Sequence, residues 1–195
     1  MSIRRFFREL HSPANIIKIE HKECDKSWCD TDYLMLYANF QLLVNYVEIE
    51  RASFDALICN VEGIRISFFR KLLFKFFGVY IRSRELGLKS IEDSIDDHRK
   101  EIKDTDSPEY RTQQFKYINA MKKSIELYKW WVDERDSDYN RNDGSLIDLE
   151  LHVENIDGLG SVVQIKNYLE KDLELYEKDT EKLKELIDIR EILWT

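Results

Sequence analysis

Proline and glycine are scarce, with 2 Pro and 6 Gly in 195 residues. So few breaks exclude a turn-rich all-β fold and predict long helices joined by short connections. Histidine is as thin, at 4 residues, too few for a histidine-built metal centre. The 3 Cys form an odd set that cannot close a disulfide framework, and a reducing compartment is expected. No run of 18 apolar residues occurs, so no transmembrane segment is expected. The opening MSIRRFFREL is basic and amphipathic, without the apolar stretch and small-residue cleavage site of a secretory leader. A glycine-rich phosphate loop and a nucleophile elbow are both missing. Positive charge is in deficit, 30 Lys and Arg against 38 Asp and Glu, which opposes unassisted binding of a phosphate backbone across the surface.

What is present is enough hydrophobic content, 43%, to bury one substantial core. The chain is organised around Thr31 to Glu50. Leu34, Leu36, Phe40, Leu42, Leu43, Val44, Tyr46, Val47 and Ile49 fall on nearly every side of that segment, which predicts a central, buried helix. Asp30, Thr31 and Asp32 supply capping oxygens and negative charge at its start. At a helical pitch Gln41, Asn45 and Glu48 share one face, so these polar groups either bond a neighbouring helix or look into a cleft.

Taken in order, Ile16–His21 and Leu146–Val153 alternate apolar and polar residues as short strands do and could pair as a two-stranded ribbon. Between Val61 and Arg84 basic residues (Arg65, Arg70, Lys71, Lys75, Arg82, Arg84) interleave with Phe68, Phe69, Phe74, Phe76 and Phe77. Such a stretch could pack its rings in the core, lie on an anionic surface, or stack on nucleic acid, a partner otherwise not expected. Gly87 reads as a turn before a short acidic helix, Ser90–Lys103, and Ser107-Pro108-Glu109 opens a long helix running to about Arg135. That helix carries Phe115, Ile118, Met121, Ile125, Tyr128 and Val132 on one stripe and must pack against the central helix. From Val162 to Trp194 a charged amphipathic helix repeats Ile165, Leu169, Leu173, Tyr176, Leu183, Ile187 and Trp194, interrupted by Thr180. A second stripe of Leu175, Leu186, Ile189 and Ile192 widens the apolar face and favours packing within the chain over packing between subunits. The expected fold is mainly α, a bundle of four to five main helices with at most a minor two-stranded element. Residues 1–160 form the core domain, and 161–195 a helix packed on it or on a partner.

Chemistry-bearing residues are few. His21, Cys24 and Cys29, with His11 as a fourth ligand, are the zinc candidates, but only His21 and Cys24 have the usual spacing. The run Asp138–Leu149 fails as a calcium loop because Asp143 stands where glycine belongs and Leu149 where a bidentate Glu belongs. Glu174/Glu177 and Glu185/Asp188 match the Glu-x-x-Glu and Glu-x-x-Asp pairs of magnesium-dependent nucleotide pyrophosphohydrolases, yet they start about 16 Å apart on one helix, too far for one cation. Glu48, Asp93, Asp97 and Glu134, on separate helices, could make a metal-dependent phosphohydrolase site acting on nucleotides or nucleic acid. No cofactor is expected. The candidate binding site is a polar-lined cleft, or at least the main buried polar network, in which Tyr128, Trp130, Trp131, Glu134 and Arg135 sit beside Asn45 and Glu48. One tryptophan would wall the core and the other border a groove, with Arg135 free to pair with a carboxylate of the central helix.

Three stretches, LYANFQLLVNYVEIE (Leu36 to Glu50), RSRELGLKSIED (Arg82 to Asp93) and IELYKWWVDERD (Ile125 to Asp136), resemble in that order the characteristic blocks of an uncharacterised family of tailed-bacteriophage proteins. In that family a proline usually follows the Leu-Tyr-x-Trp-Trp helix, and Asp136 stands in its place here. The resemblance spans roughly residues 31 to 136. It implies a protein of the infected bacterial cytoplasm and brings no activity with it. With no catalytic constellation, an acidic surface and an amphipathic last helix, the sequence points to an accessory protein that binds a host factor or its own copies.

Overall fold

The computed structural model describes residues 31–53, 80–135 and 160–193, with side chains from 173 onward in the last of these. Four helices account for nearly all of them, and no described residue is in a strand. Helix α1 (Thr31–Asn45) runs on through a wide π turn, Tyr46–Arg51. Helix α2 spans Arg84–Asp104. Helix α3 (Pro108–Lys129) also continues through a π turn, Trp130–Glu134, and α4 is Gly160–Leu193. The mainly helical bundle expected from composition is what forms. Both segments of the expected ribbon, the zinc candidates His11, His21, Cys24 and Cys29, and the aromatic residues of the basic stretch lie outside the described residues.

The contacts give the helix directions. Along α3, Tyr128, Trp131 and Arg135 meet Glu48, Phe40 and Tyr37 of α1 in falling order, so the two run antiparallel. Lys123, Glu126 and Arg135 meet Glu185, Lys182 and Asp179 of α4, again in falling order. Helices α2 and α3 form an antiparallel hairpin across a connection of three residues, 105–107, with Tyr117 stacked on His98 and the Tyr110 hydroxyl donating to Glu101. The start of α3 follows its sequence: Ser107 is extended and its hydroxyl accepts from the Tyr110 amide at 3.4 Å, while Pro108 occupies the first turn, where no N–H is needed.

As the sequence predicts, α1 is the centre. Leu36, Phe40, Leu43, Val44, Tyr46 and Val47 join Ile91 and Ile95 of α2, Ile118, Leu127, Tyr128 and Trp130 of the α3 segment and Leu186 of α4 in one core. Each such large apolar side chain contributes about 1.5–3 kcal/mol by leaving water.

Three expectations are corrected. Gly87 does not lie in a turn. It sits in the first turns of α2, where an added Cβ would lie 1.9 Å from the Val47 carbonyl oxygen, so the residue is glycine because two backbones touch there. The helix therefore starts at Arg84 and not Ser90, capped by the Ser83 hydroxyl, which accepts from the Leu86 amide. The α3 stripe is not buried along its length: Ile118 and Tyr128 are, but Phe115 is 53% exposed and Val132 faces water. Finally, α4 is rotated from the seam its sequence suggests. Leu186 is buried, with Leu183, Ile189 and Leu193 beside it, while Leu173, Tyr176 and Ile187 face solvent.

Candidate functional site

The rotation of α4 has a visible cause. Arg135, 3% exposed, donates from Nε to Asp179 Oδ1 at 3.0 Å and from Nη2 to Oδ2 at 2.9 Å, a bidentate pair between the end of the α3 segment and the middle of α4. Its Nη1 donates to the Tyr37 hydroxyl at 2.8 Å. The guanidinium carbon lies 4.5 Å from the centre of the Trp131 ring and 4.9 Å from that of Tyr37. Burial pulls the Arg135 pKa down, but the hydrogen bonds and charge of Asp179 outweigh it and hold the group firmly protonated. A carboxylate in an otherwise apolar stripe can face this core only where its partner is, so Asp179 sets which side of α4 is inside.

Aromatic rings frame the pair. Trp131 stacks on Phe40 at 4.5 Å and meets Tyr37 edge-on at 5.0 Å, while Trp130 meets Phe40 edge-on at 5.3 Å. Trp130 is buried in the core, as expected of one of the pair, while Trp131 is half-buried against Phe40, Tyr37 and Arg135. The Trp130 indole N–H has no partner among the described residues.

Glu48 belongs to a second assembly two turns of α3 away. One of its oxygens accepts from the Tyr128 hydroxyl at 2.7 Å and the other from Arg82 Nε at 2.7 Å. Arg84 packs over the Tyr128 ring and makes a bidentate pair with Asp133. The hydrogen bond from Arg84 holds the Asp133 carboxyl below its ordinary range. Asn45 is buried and accepts from Gln41, and Glu134 is exposed. Of the residues expected to form one cleft, Trp130, Trp131 and Arg135 thus fall in one cluster and Glu48 and Tyr128 in another. Arg135 pairs with α4 instead of with a central-helix carboxylate, and Glu48 is taken by Tyr128 and Arg82.

Burial, and after it the hydrogen bond to Glu48, pushes the Tyr128 phenol well above its ordinary value of 10.0. The unfolded chain therefore releases this proton first. The contribution of Tyr128 to stability is complete below pH 10.0 and is lost as pH rises through the folded-state value. Tyr128→Phe strands one Glu48 oxygen and should cost about 1–3 kcal/mol at neutral pH. It should also flatten the fall in stability on the alkaline side. Urea denaturation on either side of pH 10.0 checks both expectations.

No metal centre is assembled among the described residues, where no three His, Cys, Asp or Glu side chains gather. The carboxylates set aside for a phosphohydrolase are spread out: Glu48 is engaged as above, Asp97 pairs with Lys100, and Asp93 faces solvent. Between α3 and α4, Lys123, Glu126, Lys182 and Glu185 form a crossed quartet. There burial pushes Glu185 up but its two lysines bring it below the ordinary range.

Beside the Arg135–Asp179 pair a groove of about 200 Å³ opens between the start of α1 and the middle of α4. Its walls include Met35, Leu36, Tyr176, Thr180 and Leu183, with Asp179 at its inner side. Neither tryptophan borders it. Met35 is 56% exposed and Tyr176 51%, so its rim offers two large apolar side chains to solvent. No family model, curated protein or solved structure matches the chain. Among the described residues no helix is long and apolar enough to cross a membrane.

Sequence reasoning missed Tyr37, Arg82, Asp133 and, above all, Asp179. The signal for Asp179 was present: an acid at helical spacing between Tyr176, Leu183 and Leu186 has to be either the edge of an apolar face or a buried partner.

Proposed function

We propose that the protein acts by binding another protein, without catalysis, through the outer face of α4 and the groove that α1 adds to it. The observation that carries this reading is the division of α4 into two apolar faces. One is locked inward by Arg135–Asp179 and Leu186, and the other presents Leu173, Tyr176 and Ile187 to solvent beside Met35. Scattered apolar residues on a surface need no explanation, whereas a line of them flanking a groove is how helix-binding surfaces are built. The likeness of residues 31 to 136 to tailed-phage proteins supports a bacteriophage accessory role in the cytoplasm of an infected bacterium. The buried carboxylate at the inner side of the groove, Asp179, is taken up by Arg135, and the Thr180 hydroxyl by the Tyr176 carbonyl, which suits a rigid docking surface better than a reaction centre.

A photoreactive amino acid at position 176, with one at exposed Thr112 as control, tests the reading in bacterial cells. The expected result is a discrete adduct from position 176 that is absent from 112 and lost with Leu173→Glu. No adduct above the control, or one indifferent to Leu173→Glu, contradicts it.

A further inference from the structure

Resting on that reading, we infer that the occupant of the outer face of α4 is the same helix of a second copy, laid antiparallel to form a two-fold dimer. Leu173, Tyr176, Thr180, Leu183 and Ile187 follow one another at intervals of 3, 4, 3 and 4 residues, the a and d positions of two heptads. Leu173, Tyr176 and Ile187 are exposed, and Leu183 sits at the boundary with the core. A helix that served only its own bundle has no need of this second seam, because its inward face is complete with Asp179, Leu186, Ile189 and Leu193.

The flanking positions choose the direction. In this frame the g positions are Asp179 and Leu186, both committed to the chain's own core, so the e-to-g pairs of a parallel coil cannot form. The e positions are Glu177 and Lys184, both exposed. In an antiparallel pair e faces e, and the two-fold axis falls between them, so Glu177 meets the partner's Lys184 and Lys184 meets the partner's Glu177. That opposite charge at symmetry-related places is the self-complementarity a two-fold interface requires. In the same register Tyr176 packs on the partner's Ile187, and Thr180 on the partner's Leu183. Thr180 is the small residue of the seam and lines the groove, where a leucine from outside has room. Its hydroxyl already donates to the Tyr176 carbonyl at 2.8 Å, so covering it orphans nothing.

Two heptads span about 21 Å, shorter than a stable isolated coil. The dimer is therefore concentration-dependent, helped by Met35 at the edge of the groove. Sedimentation equilibrium of the full chain from low micromolar to submillimolar concentration should carry the mass from 23.5 kDa toward twice that value. Tyr176→Glu with Ile187→Glu lies on the exposed seam, sets like charges opposite each other in this register, and should leave a monomer of unchanged circular dichroism. Lys184→Glu sets like charges against each other at both symmetry-related places and should weaken association about tenfold, as should Glu177→Lys. The double exchange Glu177→Lys with Lys184→Glu should restore it, which a merely structural defect would not allow. A monomer at every concentration overturns the dimer while leaving heterologous binding to the crosslinking test. A dimer that survives the seam variants, or that the charge exchange fails to restore, overturns the inference as well.

Discussion

Asp179→Ala should destabilise the protein by about 3–5 kcal/mol, because it leaves the Arg135 guanidinium buried between Tyr37 and Trp131 without its counter-charge. That is a large part of the roughly 5–15 kcal/mol that holds a domain together. The loss should fall first on α4, whose middle is tied to α3 and α1 through this pair. Replacing both partners by apolar residues of similar volume, Arg135→Met with Asp179→Leu, should cost far less, since the charges lost on one side no longer have to be desolvated on the other. Urea denaturation followed by tryptophan fluorescence and by circular dichroism measures both. If Asp179→Ala is as stable as the double apolar variant, the pair does not fix the helix.

Gly87→Ala is the second large effect, and it runs against helix propensity. In an exposed helix the exchange gains about 1 kcal/mol. Here the new methyl would meet the Val47 carbonyl oxygen at 1.9 Å and its carbonyl carbon at 2.7 Å, both backbone atoms that no rotamer change can move. Helix α2 would have to lift off the π turn of α1, which also strains the 2.8 Å hydrogen bond from the Ser83 amide to the Glu48 carbonyl. Overpacking usually costs about 1–3 kcal/mol and occasionally more. With rigid backbone on both sides, a net loss of about 2–4 kcal/mol is expected. A neutral or stabilising Gly87→Ala in thermal or urea unfolding would show that the two helices are further apart than described.

These two sites also explain what the sequence could and could not reveal. The helical class followed from scarce Pro and Gly, and the central helix from apolar residues on every side of Thr31–Glu50. The start of α3 followed from Ser107-Pro108, all of it local chemistry. The site did not follow because its geometry depends on two π turns. A pitch of 100° per residue holds through α1 and α3, but each wide turn sets the residues beyond it back by about one position. Glu48 sits inside one such turn and Arg135 just beyond the other. Their faces were therefore misplaced, and the single cleft expected of them became two clusters. Gly87 misled for a different reason: in sequence a glycine that breaks a helix and one that admits a neighbouring backbone look the same. Asp179 was legible as an acid in an apolar stripe, yet nothing local names a partner 44 residues away.

The orientation of α4 underlies both the docking face and the dimer, and one spectrum tests it. In a proton–nitrogen correlation spectrum of the full chain, the Arg135 Nε–H should appear as a slowly exchanging side-chain signal. It should give cross-relaxation to the rings of Trp131 and Tyr37 and disappear in Asp179→Asn. Absence of any protected arginine Nε–H, or one that persists unchanged in Asp179→Asn, would mean that Asp179 does not hold α4 and that Leu173, Tyr176 and Ile187 are not set outward by it.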